Sequence, residues 1–259
     1  MLWGSFRVQR RVIAALMIRE TYTRFGRQNL GFLWLIAEPL VFALPVLAMW
    51  SLIRAKFEHG VPMLGVAWTG YLPLLMFRHI GARSLMFVRV NTGLLYHRQV
   101  TILDIFTART LLEVLSGYAS VAVSGLVLYI LGAIDAPKNW PLFYLGYFYM
   151  TWWCVAVGLI VGGLSERSEL TEKIWMPISY MYLPVSGFFY LAEWLPDSIR
   201  TWALLVVPPL HPYEMIRSGL FGDVFRAYYN LPYISMMYAI LTLIGLMLMR
   251  NLREYVVVE

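Results

Sequence analysis

The chain has 259 residues, of which 60% are hydrophobic and 14% are charged, and its mean hydropathy is +0.64. Soluble domains carry about 25% charged residues, so the composition excludes a soluble enzyme and a disordered protein. The net charge of +6 comes mainly from arginine, and in a membrane protein this excess indicates orientation and anionic lipid rather than nucleic acid. The single cysteine, Cys154, excludes an internal disulfide.

Residues 1–30 are expected to form a cytoplasmic helix at the membrane interface. Six arginines and one glutamate surround the apolar stretch Val12–Ile18, and such cations favour an anionic membrane surface. Because Val12–Ile18 is apolar on every side, part of this helix should pack against protein. The N-terminal residues do not follow the order of charged, apolar and small residues that is typical of a cleaved signal peptide.

Six later stretches are apolar and long enough to cross a bilayer, which takes about 20 residues in a helix. The sequence therefore predicts an all-α polytopic membrane protein in which residues 31–259 form the transmembrane domain. Fifteen of the 21 Lys and Arg residues then lie on the side of the N-terminus and six on the other, which predicts that both termini are cytoplasmic. The six predicted spans are about 31–53, 61–88, 111–134, 142–164, 174–191 and 231–249.

The longest connection, Ala192–Asn230, lies on the outer side before the last span. Within it, Ile199–Leu210 is apolar but too short to cross, and it ends in a proline-rich stretch. We expect two short re-entrant helices here, the second at about Tyr213–Phe221. A helix lying flat on the outer leaflet is the alternative.

The sequence carries no catalytic signature. No Gly-Lys pair occurs, so the P-loop pattern G-x-x-x-x-G-K-[ST] is absent, as are H-E-x-x-H, G-x-S-x-G and D-x-D. The acids on the inner side are scattered along the chain, which disfavours one alternative, an intramembrane enzyme acting on a polyprenyl phosphate or a sugar. We therefore expect a transport subunit that another chain drives. No metal site is predicted, because the histidines lack metal-ligand spacing (His59, His79, His97 and His211).

One stretch of the sequence carries a family resemblance. The run R-E…T-R-F-G…L-G-x-L-W…E-P-L, at residues 19–40, resembles the N-terminus of ABC type-2 polysaccharide exporter permeases. Leu103-Asp104 is similar to the family's loop between the second and third spans, and His211-Pro212 to its outer segment. The short C-terminus and compact loops resemble capsular polysaccharide export permeases of the KpsM type. Permeases for O-antigen or teichoic acid are closely similar, and a drug or lipid permease is a further alternative.

The resemblance implies a set of partners. It implies a homodimer of this chain, joined on the cytoplasmic face by two copies of a separate ABC ATPase that binds ATP and Mg. This chain would then hold no cofactor of its own. In capsule systems the resemblance further implies a periplasmic polysaccharide co-polymerase and an outer-membrane exporter. The implied substrate is a lipid-linked polysaccharide that crosses the bacterial inner membrane.

Two sets of candidate residues lie on the cytoplasmic side. The stretch Val100–Thr107 resembles the coupling helix that docks in the ATPase, and Glu166–Lys173 is the next candidate. The predicted coupling residues are Arg98, Val100, Ile102, Asp104, Ile105 and Arg109. A second set would attract the lipid headgroup where the substrate enters, although anchoring to anionic lipid explains the same cations. This set comprises Arg19, Glu20, Arg24, Arg27, Glu38, Arg78, Arg83 and Arg89.

Three members of the second set carry specific expectations. Glu38 lies inside the first span, where a lone carboxylate is costly, so it should face the bundle interior and pair with an arginine or with backbone groups. Arg78 and Arg89 are eleven residues apart, which places them on one face of a continuous helix.

Aromatic residues make up 16% of the chain. Trp and Tyr concentrate at membrane interfaces, which accounts for most of them. Because a sugar chain slides over flat apolar faces, four deeper rings are predicted to line a conduit: Trp34, Tyr147, Trp152 and Tyr182. The predicted outer gate comprises Trp202, His211, Glu214 and Arg217. Gly158-x-x-x-Gly162 with Gly163 is expected to let two helices approach closely.

Overall fold

The computed structural model describes residues 2–25, 31–53, 56–96, 99–250 and 252. The described part is mostly helical, as predicted, with one small antiparallel hairpin of strands β1 (Phe57–Glu58) and β2 (Val61–Pro62). Two predicted site residues, Arg27 and Arg98, lie outside the described residues. The helices are α1 (Leu2–Phe25), α2 (Gly31–Ile53), α3 (Met63–Ser84), α4 (Thr92–Leu95), α5 (Ile102–Ile130), α6 (Trp140–Ser165), α7 (Glu169–Met181), α8 (Asp197–Val206), α9 (Leu210–Phe221) and α10 (Leu231–Arg250).

Helix α3 lies at the centre of the bundle. Most of its residues are buried, and it packs against α2, α5, α6 and α7. Glycines permit these close contacts: a Cβ on Gly70 would lie 2.4 Å from the Phe188 ring, and a Cβ on Gly81 would lie 2.0 Å from the Trp175 ring of α7. Each ring thus fills the space that a side chain would occupy if α3 had a larger residue than glycine at that position.

Helix α6 packs against α9 on one side and α10 on another. The close packing predicted at Gly158-x-x-x-Gly162 with Gly163 is confirmed. A Cβ on Gly163 would lie 2.6 Å from the side chain of Leu248 on α10, and a Cβ on Gly158 would lie 2.8 Å from Ile80 of α3. These glycines allow three helices to approach within side-chain contact distance.

Four of the described helices are long and apolar enough to cross a membrane: Ile36–Ile53, Ile102–Ile130, Trp140–Ser165 and Leu231–Arg250. They correspond to the first, third, fourth and sixth predicted spans. The second predicted span matches α3, which ends at Ser84 rather than near 88. Its helix ends there because Leu85 is extended and Met86 has a φ of 49°. Arg78 and Arg89 therefore do not share a helix face, contrary to the expectation.

The fifth predicted span, 174–191, is not one continuous helix. Helix α7 ends at Met181, and turns follow as far as Gly187. Pro184 gives the physical reason, since a proline disfavours helical geometry at the residue before it and has no N–H to donate. The helix in this part of the chain therefore ends ten residues before the end of the predicted span.

Helix α5 begins nine residues before the third predicted span. Its N-terminus is a capping box: the Thr101 hydroxyl accepts a hydrogen bond from the Asp104 amide, and the Asp104 carboxylate accepts one from the Thr101 amide. The segment predicted to couple to an ATPase is therefore the first two turns of a long membrane helix. Any movement of this segment moves α5 with it.

The outer segment contains a surface helix and a buried one. Every residue of α8 is exposed or half-buried, whereas α9 is buried along nearly its whole length against α6 and α3. The sequence predicted the second helix at about Tyr213–Phe221, and α9 begins three residues earlier. Pro208-Pro209 separates the two helices and explains why α8 ends at Val206.

Candidate functional site

A network of ion pairs joins α1, α3 and α5 at the end of the bundle where α5 begins. Its centre is Glu113 of α5, which lies with its side chain 7% exposed. One carboxylate oxygen contacts Arg24 of α1 and lies 3.5 Å from Nε of Arg83 on α3. The other oxygen lies 3.7 Å from Nδ1 of His79. Because residues from three helices meet at one carboxylate, Glu113 fixes their relative positions.

Two further glutamates complete this network. Glu20 lies 3.0 Å from Nε of Arg24 and 3.2 Å from Nε of Arg109. Glu38 lies 3.5 Å from Nη2 of Arg83, so the arginine partner expected for this residue is present. Three carboxylates thus face three guanidinium groups, and the network is balanced in formal charge. We call these three glutamates and three arginines the four-helix ion network: Glu20, Glu38, Glu113, Arg24, Arg83 and Arg109.

The four-helix ion network corrects one inference from the sequence. The inner acids are scattered along the chain, yet folding brings Glu20, Glu38 and Glu113 together. Sequence spacing does not reveal this, because the three residues belong to three different helices and Glu113 lies more than 70 residues after Glu38. Each carboxylate is engaged by arginine, so the cluster has the chemistry of a structural joint rather than that of an acid–base pair.

Further polar contacts fasten α1 to the loop after α3 and to the first turn of α5. The Arg19 guanidinium donates to the side-chain oxygen of Asn91 at 3.0 Å, and the Gln9 amide donates to the Asp104 carboxylate at 3.0 Å. Leu16 is buried between these contacts. The expectation that part of the first helix packs against protein is therefore confirmed.

Arg89 connects the segment after α3 with the loop before α7 and with the first turn of α7. Its guanidinium lies 3.6 Å from the Glu166 carboxylate and 3.8 Å from that of Glu172, and it donates to the Glu166 carbonyl at 3.3 Å. Glu166 also accepts a hydrogen bond from the Val88 amide at 2.6 Å. Burial raises the pKa of Glu166, and the bonds from the backbone oppose that rise. Arg89 therefore holds the segment after α3 against Glu166–Lys173, the second candidate coupling segment.

Most of the predicted coupling residues point inward. Val100, Ile102, Asp104 and Ile105 are buried, and the Arg109 guanidinium lies on Glu20. The exposed large apolar side chains around this segment are Val90, Tyr96 and Leu103, of which Tyr96 is 89% exposed. These three side chains offer an apolar surface that a partner protein could contact.

The predicted conduit residues do not form one surface. Trp34 is 55% exposed on α2, whereas Tyr147 is buried and packs on the Tyr118 ring of α5. The Trp152 indole donates to Thr242 of α10 at 3.0 Å, and the Tyr182 ring packs on Phe77 of α3. Three of the four rings thus contribute to packing between helices.

An open stripe on α3 was not identified from the sequence. Leu64, Tyr71 and Arg78 are partly exposed on a helix that is otherwise largely buried. They recur every seven residues, which is two turns, so they lie on one face. The Tyr180 ring of α7 covers Arg78 with 3.8 Å between the ring centre and the guanidinium carbon. The seven-residue spacing is visible in the sequence, but its exposure is not.

Three of the predicted outer-gate residues are buried and bonded to backbone. Arg217 donates to the carbonyls of Gly187, Phe188 and Tyr190, and Glu214 accepts from the amides of Ala192 and Tyr228. His211 accepts from the Asn230 amide at Nδ1 and contacts the Leu204 carbonyl at Nε2. The fourth residue, Trp202 on α8, is 68% exposed.

Burial shifts the titration of this outer group. It raises the pKa of Glu214 to about 7, against the bonds from the two amides. It also lowers the pKa of His211, whose imidazole is already bonded in a neutral form. Together the three buried side chains hold the segments 187–192 and 222–230 against α9. We call them the outer clasp.

Comparison with known proteins identifies the family of this chain. The ABC-2 type transporter family profile matches residues 11–221. The chain is 36% identical over 247 residues to the capsule polysaccharide export inner-membrane protein BexB of Haemophilus influenzae, covering 95% of this chain and 93% of BexB. It is 35% identical to CtrC of Neisseria meningitidis serogroup B, also a capsule polysaccharide export inner-membrane protein, over 94% of this chain and 92% of CtrC. It is 27% identical to the polysialic acid transport protein KpsM of Escherichia coli over 97% of both chains. The chain therefore belongs to the ABC-2 type transporter membrane family.

Proposed function

We propose that this chain is the permease subunit of an ATP-driven exporter that moves lipid-linked capsular polysaccharide across the bacterial inner membrane. One observation carries the proposal: relatives named for capsule polysaccharide export match nearly the whole chain at 35–36% identity. The engaged carboxylates of the four-helix ion network disfavour the intramembrane enzyme. O-antigen and teichoic acid remain alternative substrates for the test below.

The proposal includes a homodimer of this chain with two copies of an ABC ATPase. The chain has no P-loop, so ATP and Mg would be bound by that partner. The exposed residues Val90, Tyr96 and Leu103 would contact the ATPase, and the buried capping box would pass the force into α5. A periplasmic co-polymerase and an outer-membrane exporter would receive the polymer.

We place both termini in the cytoplasm and count six crossings. Helix α3, at 22 residues, is about 33 Å long and can cross the hydrocarbon core. Helix α7, with the turns that follow it, would form the fifth crossing. The buried helix α9 supports re-entry from the outer face, whereas α8 would lie at the outer surface.

Lipid headgroups would approach the four-helix ion network from the side of α1, next to Arg24. Within the described residues, Nη2 of Arg24 is buried and has no hydrogen-bond partner. A guanidinium with a free N–H group suits a phosphate oxygen. The exposed Arg7, Arg10 and Arg11 would hold α1 on the anionic leaflet.

The first test is complementation. The gene is introduced into a strain that lacks its own capsule permease, and the tagged chain is then purified in mild detergent. Surface capsule should return, and a P-loop ATPase should co-purify in equal amount. If the chain is purified alone and no ATPase can be reconstituted with it, the proposal is wrong. Capsule retained inside cells that instead display O-antigen would identify the alternative substrate.

Docking is tested by variants of the exposed inner residues. Val90→Asp and Tyr96→Arg should each reduce co-purification of the ATPase, because each places a charge on the proposed apolar contact. Lys138→Glu, an exposed change on the opposite side, is the matched control and should leave it intact. Full retention with both inner variants would remove this surface from the docking site.

A further inference from the structure

Arg78 differs from four other arginines of the inner half of the bundle, which take part in ion pairs. Arg24, Arg83, Arg89 and Arg109 each lie within 4.0 Å of at least one carboxylate. Arg78 has no such partner anywhere in the described part of the chain, and its buried Nε has no hydrogen bond there. One cation among several is thus left without a compensating charge.

The surroundings of Arg78 leave its donors available. The guanidinium carbon lies 3.8 Å from the centre of the Tyr180 ring, so the cation stacks on an aromatic face. Stacking uses the flat side of a guanidinium and leaves its N–H groups free at the edge. Tyr180 is itself 55% exposed, which places the pair on the surface of the chain. An incoming group can therefore reach the edge of Arg78.

The depth of Arg78 makes an unpaired charge costly. It lies 16 residues after Pro62 on α3, or roughly 24 Å along the helix axis. Charged side chains within a membrane helix face water or a binding partner, because lipid does not solvate them. Arg78 belongs to the same open stripe as Tyr71 and Leu64, which leads toward the outer face.

This stripe begins at an outer cavity. A cavity of about 490 Å³ includes Leu64, Met63 and Trp50 in its wall. Tyr71 follows two turns further in and packs on Phe188, and Arg78 lies two turns beyond Tyr71. Aromatic contacts thus run from Trp50 in the cavity wall through Phe188 to Tyr71, which lies two turns from Arg78.

We propose that Arg78 binds an anionic group of the translocated glycolipid, either a sugar carboxylate or a linker phosphate. This inference rests on the proposed function, since it names the chemistry of the substrate at its conduit. A planar guanidinium bonds both oxygens of a carboxylate or phosphate in parallel. The Tyr180 ring holds it in place, and Tyr71 lies on the path that the polymer takes from it.

The test measures binding to the purified permease–ATPase complex. The sugar probes are an oligosaccharide of glucuronic acid and a neutral oligosaccharide of glucose. The lipid probes are phosphatidylglycerol and neutral diacylglycerol in mixed micelles. Arg78→Gln should lower the affinity for one or both anionic probes by about tenfold to a hundredfold, which is the effect of losing one charged hydrogen-bonded contact. It should leave the neutral probes unchanged.

Arg200→Gln is the matched control. Arg200 also stacks on a tyrosine, at 4.4 Å from the ring centre of Tyr228, but it pairs with Asp197. This variant should bind all probes like the wild type. If Arg78→Gln does not assemble with the ATPase, Arg78→Lys is measured instead. The lysine keeps the charge but lacks the planar guanidinium, so this variant should lose part of the affinity for the anionic probes.

Each outcome decides the inference. Selective loss of the glucuronic acid probe assigns the site to acidic sugar, and selective loss of phosphatidylglycerol assigns it to the linker phosphate. Unchanged binding of both anionic probes, or equal loss of the neutral ones, overturns it. A wild-type chain that recruits no ATPase contradicts the proposed function instead, so the two failures are distinguishable.

Discussion

Single charged residues in this protein are held by partners on other helices. Glu113 contacts side chains from α1 and α3, and Glu38 of α2 reaches Arg83 of α3. Removing one member of a buried pair leaves an uncompensated charge, which costs more than the pair itself contributes. These residues should therefore tolerate loss poorly, even though none of them needs to touch the substrate.

We expect Glu113→Gln to lower the free energy of unfolding by about 1.5–3 kcal/mol, because it removes the charge shared by Arg24 and Arg83, which keep Glu20 and Glu38 as their other partners. Glu169→Gln is the control, since the Glu169–Lys173 pair is exposed and should contribute at most about 1 kcal/mol. Unfolding of the purified chain by denaturing detergent measures both. Equal stability of the two variants would show that the network is not a structural joint.

Glu214 should make stability depend on pH. Its pKa is raised to about 7 in the folded chain from an ordinary value of 4.5. Its stabilising contribution is therefore complete below pH 4.5 and is lost as the pH rises through 7. His211, whose pKa is lowered, acts in the opposite direction as the pH falls.

Comparison with Glu214→Gln isolates this effect, because His211 is the same in both proteins. Thermal unfolding is measured from about pH 5 to about pH 8, and the wild type should lose more stability than the variant over that range. The variant replaces one acceptor oxygen, so it should be less stable at every pH, and the slope is the quantity to compare. Parallel slopes would place the titrating group elsewhere.

At the level of elements, the contact between α3 and α7 determines where Arg78 meets Tyr180. Gly81 lies one turn beyond Arg78 and faces the buried Trp175 ring of α7. An added methyl group there would require the ring or the helix to move. The position of α7, and with it the cover over Arg78, therefore depends on a residue without a side chain.

Gly81→Ala should destabilise the chain by about 1–3 kcal/mol through overpacking, and it should reduce capsule export. Gly93→Ala is the matched change, because a Cβ on Gly93 would meet nothing within 4 Å. Export assays with both variants at equal membrane abundance test the expectation. Normal export with Gly81→Ala would mean that α7 adjusts without cost to transport.

The presence of most long helices could be predicted from the sequence, but where they end and what they contact could not. Apolar length alone placed α2, α6 and α10, because each matches the thickness of a bilayer. Helix α5 was predicted too short, since the capping box at Thr101 and Asp104 starts it nine residues before the predicted span. The fifth span was predicted too long, because hydropathy does not register the break at Pro184.

The candidate site was predictable in part. Periodicity and charge indicated that Glu38 needs a partner, but not that Arg83 supplies it. The family resemblance drew attention to Asp104, yet its carboxylate is used inside the fold. Pairings across helices depend on tertiary packing, which a single sequence does not encode in any local pattern.

At the scale of the whole molecule, polar contacts concentrate at the two ends of the bundle. The four-helix ion network lies at one end, and the outer clasp of His211, Glu214 and Arg217 lies at the other. Apolar packing around α3 fills the space between them.

Cysteine labelling tests the proposed orientation of the whole chain. The native Cys154 is buried, so it should give little background. A cysteine at Lys138 should react with a charged, membrane-impermeant maleimide in intact cells. A cysteine at Thr92 should react only after the membrane is opened. The reverse pattern would place the termini outside and contradict the proposed topology.

The ion pairs between helices also bear on how the chain enters the membrane during synthesis. Helix α3 carries Arg78, His79 and Arg83 in its last two turns, where a charged side chain opposes insertion by less than the roughly 2.5–3.5 kcal/mol that an arginine costs at the centre of a helix. The carboxylate of Glu38 is made before α3, but Glu113 is made after it. Helix α3 should therefore stay beside the insertion machinery until α5 arrives. A nascent chain truncated before Ile102 should leave α3 inserted in only part of the population, and extension through Ile130 should complete its insertion.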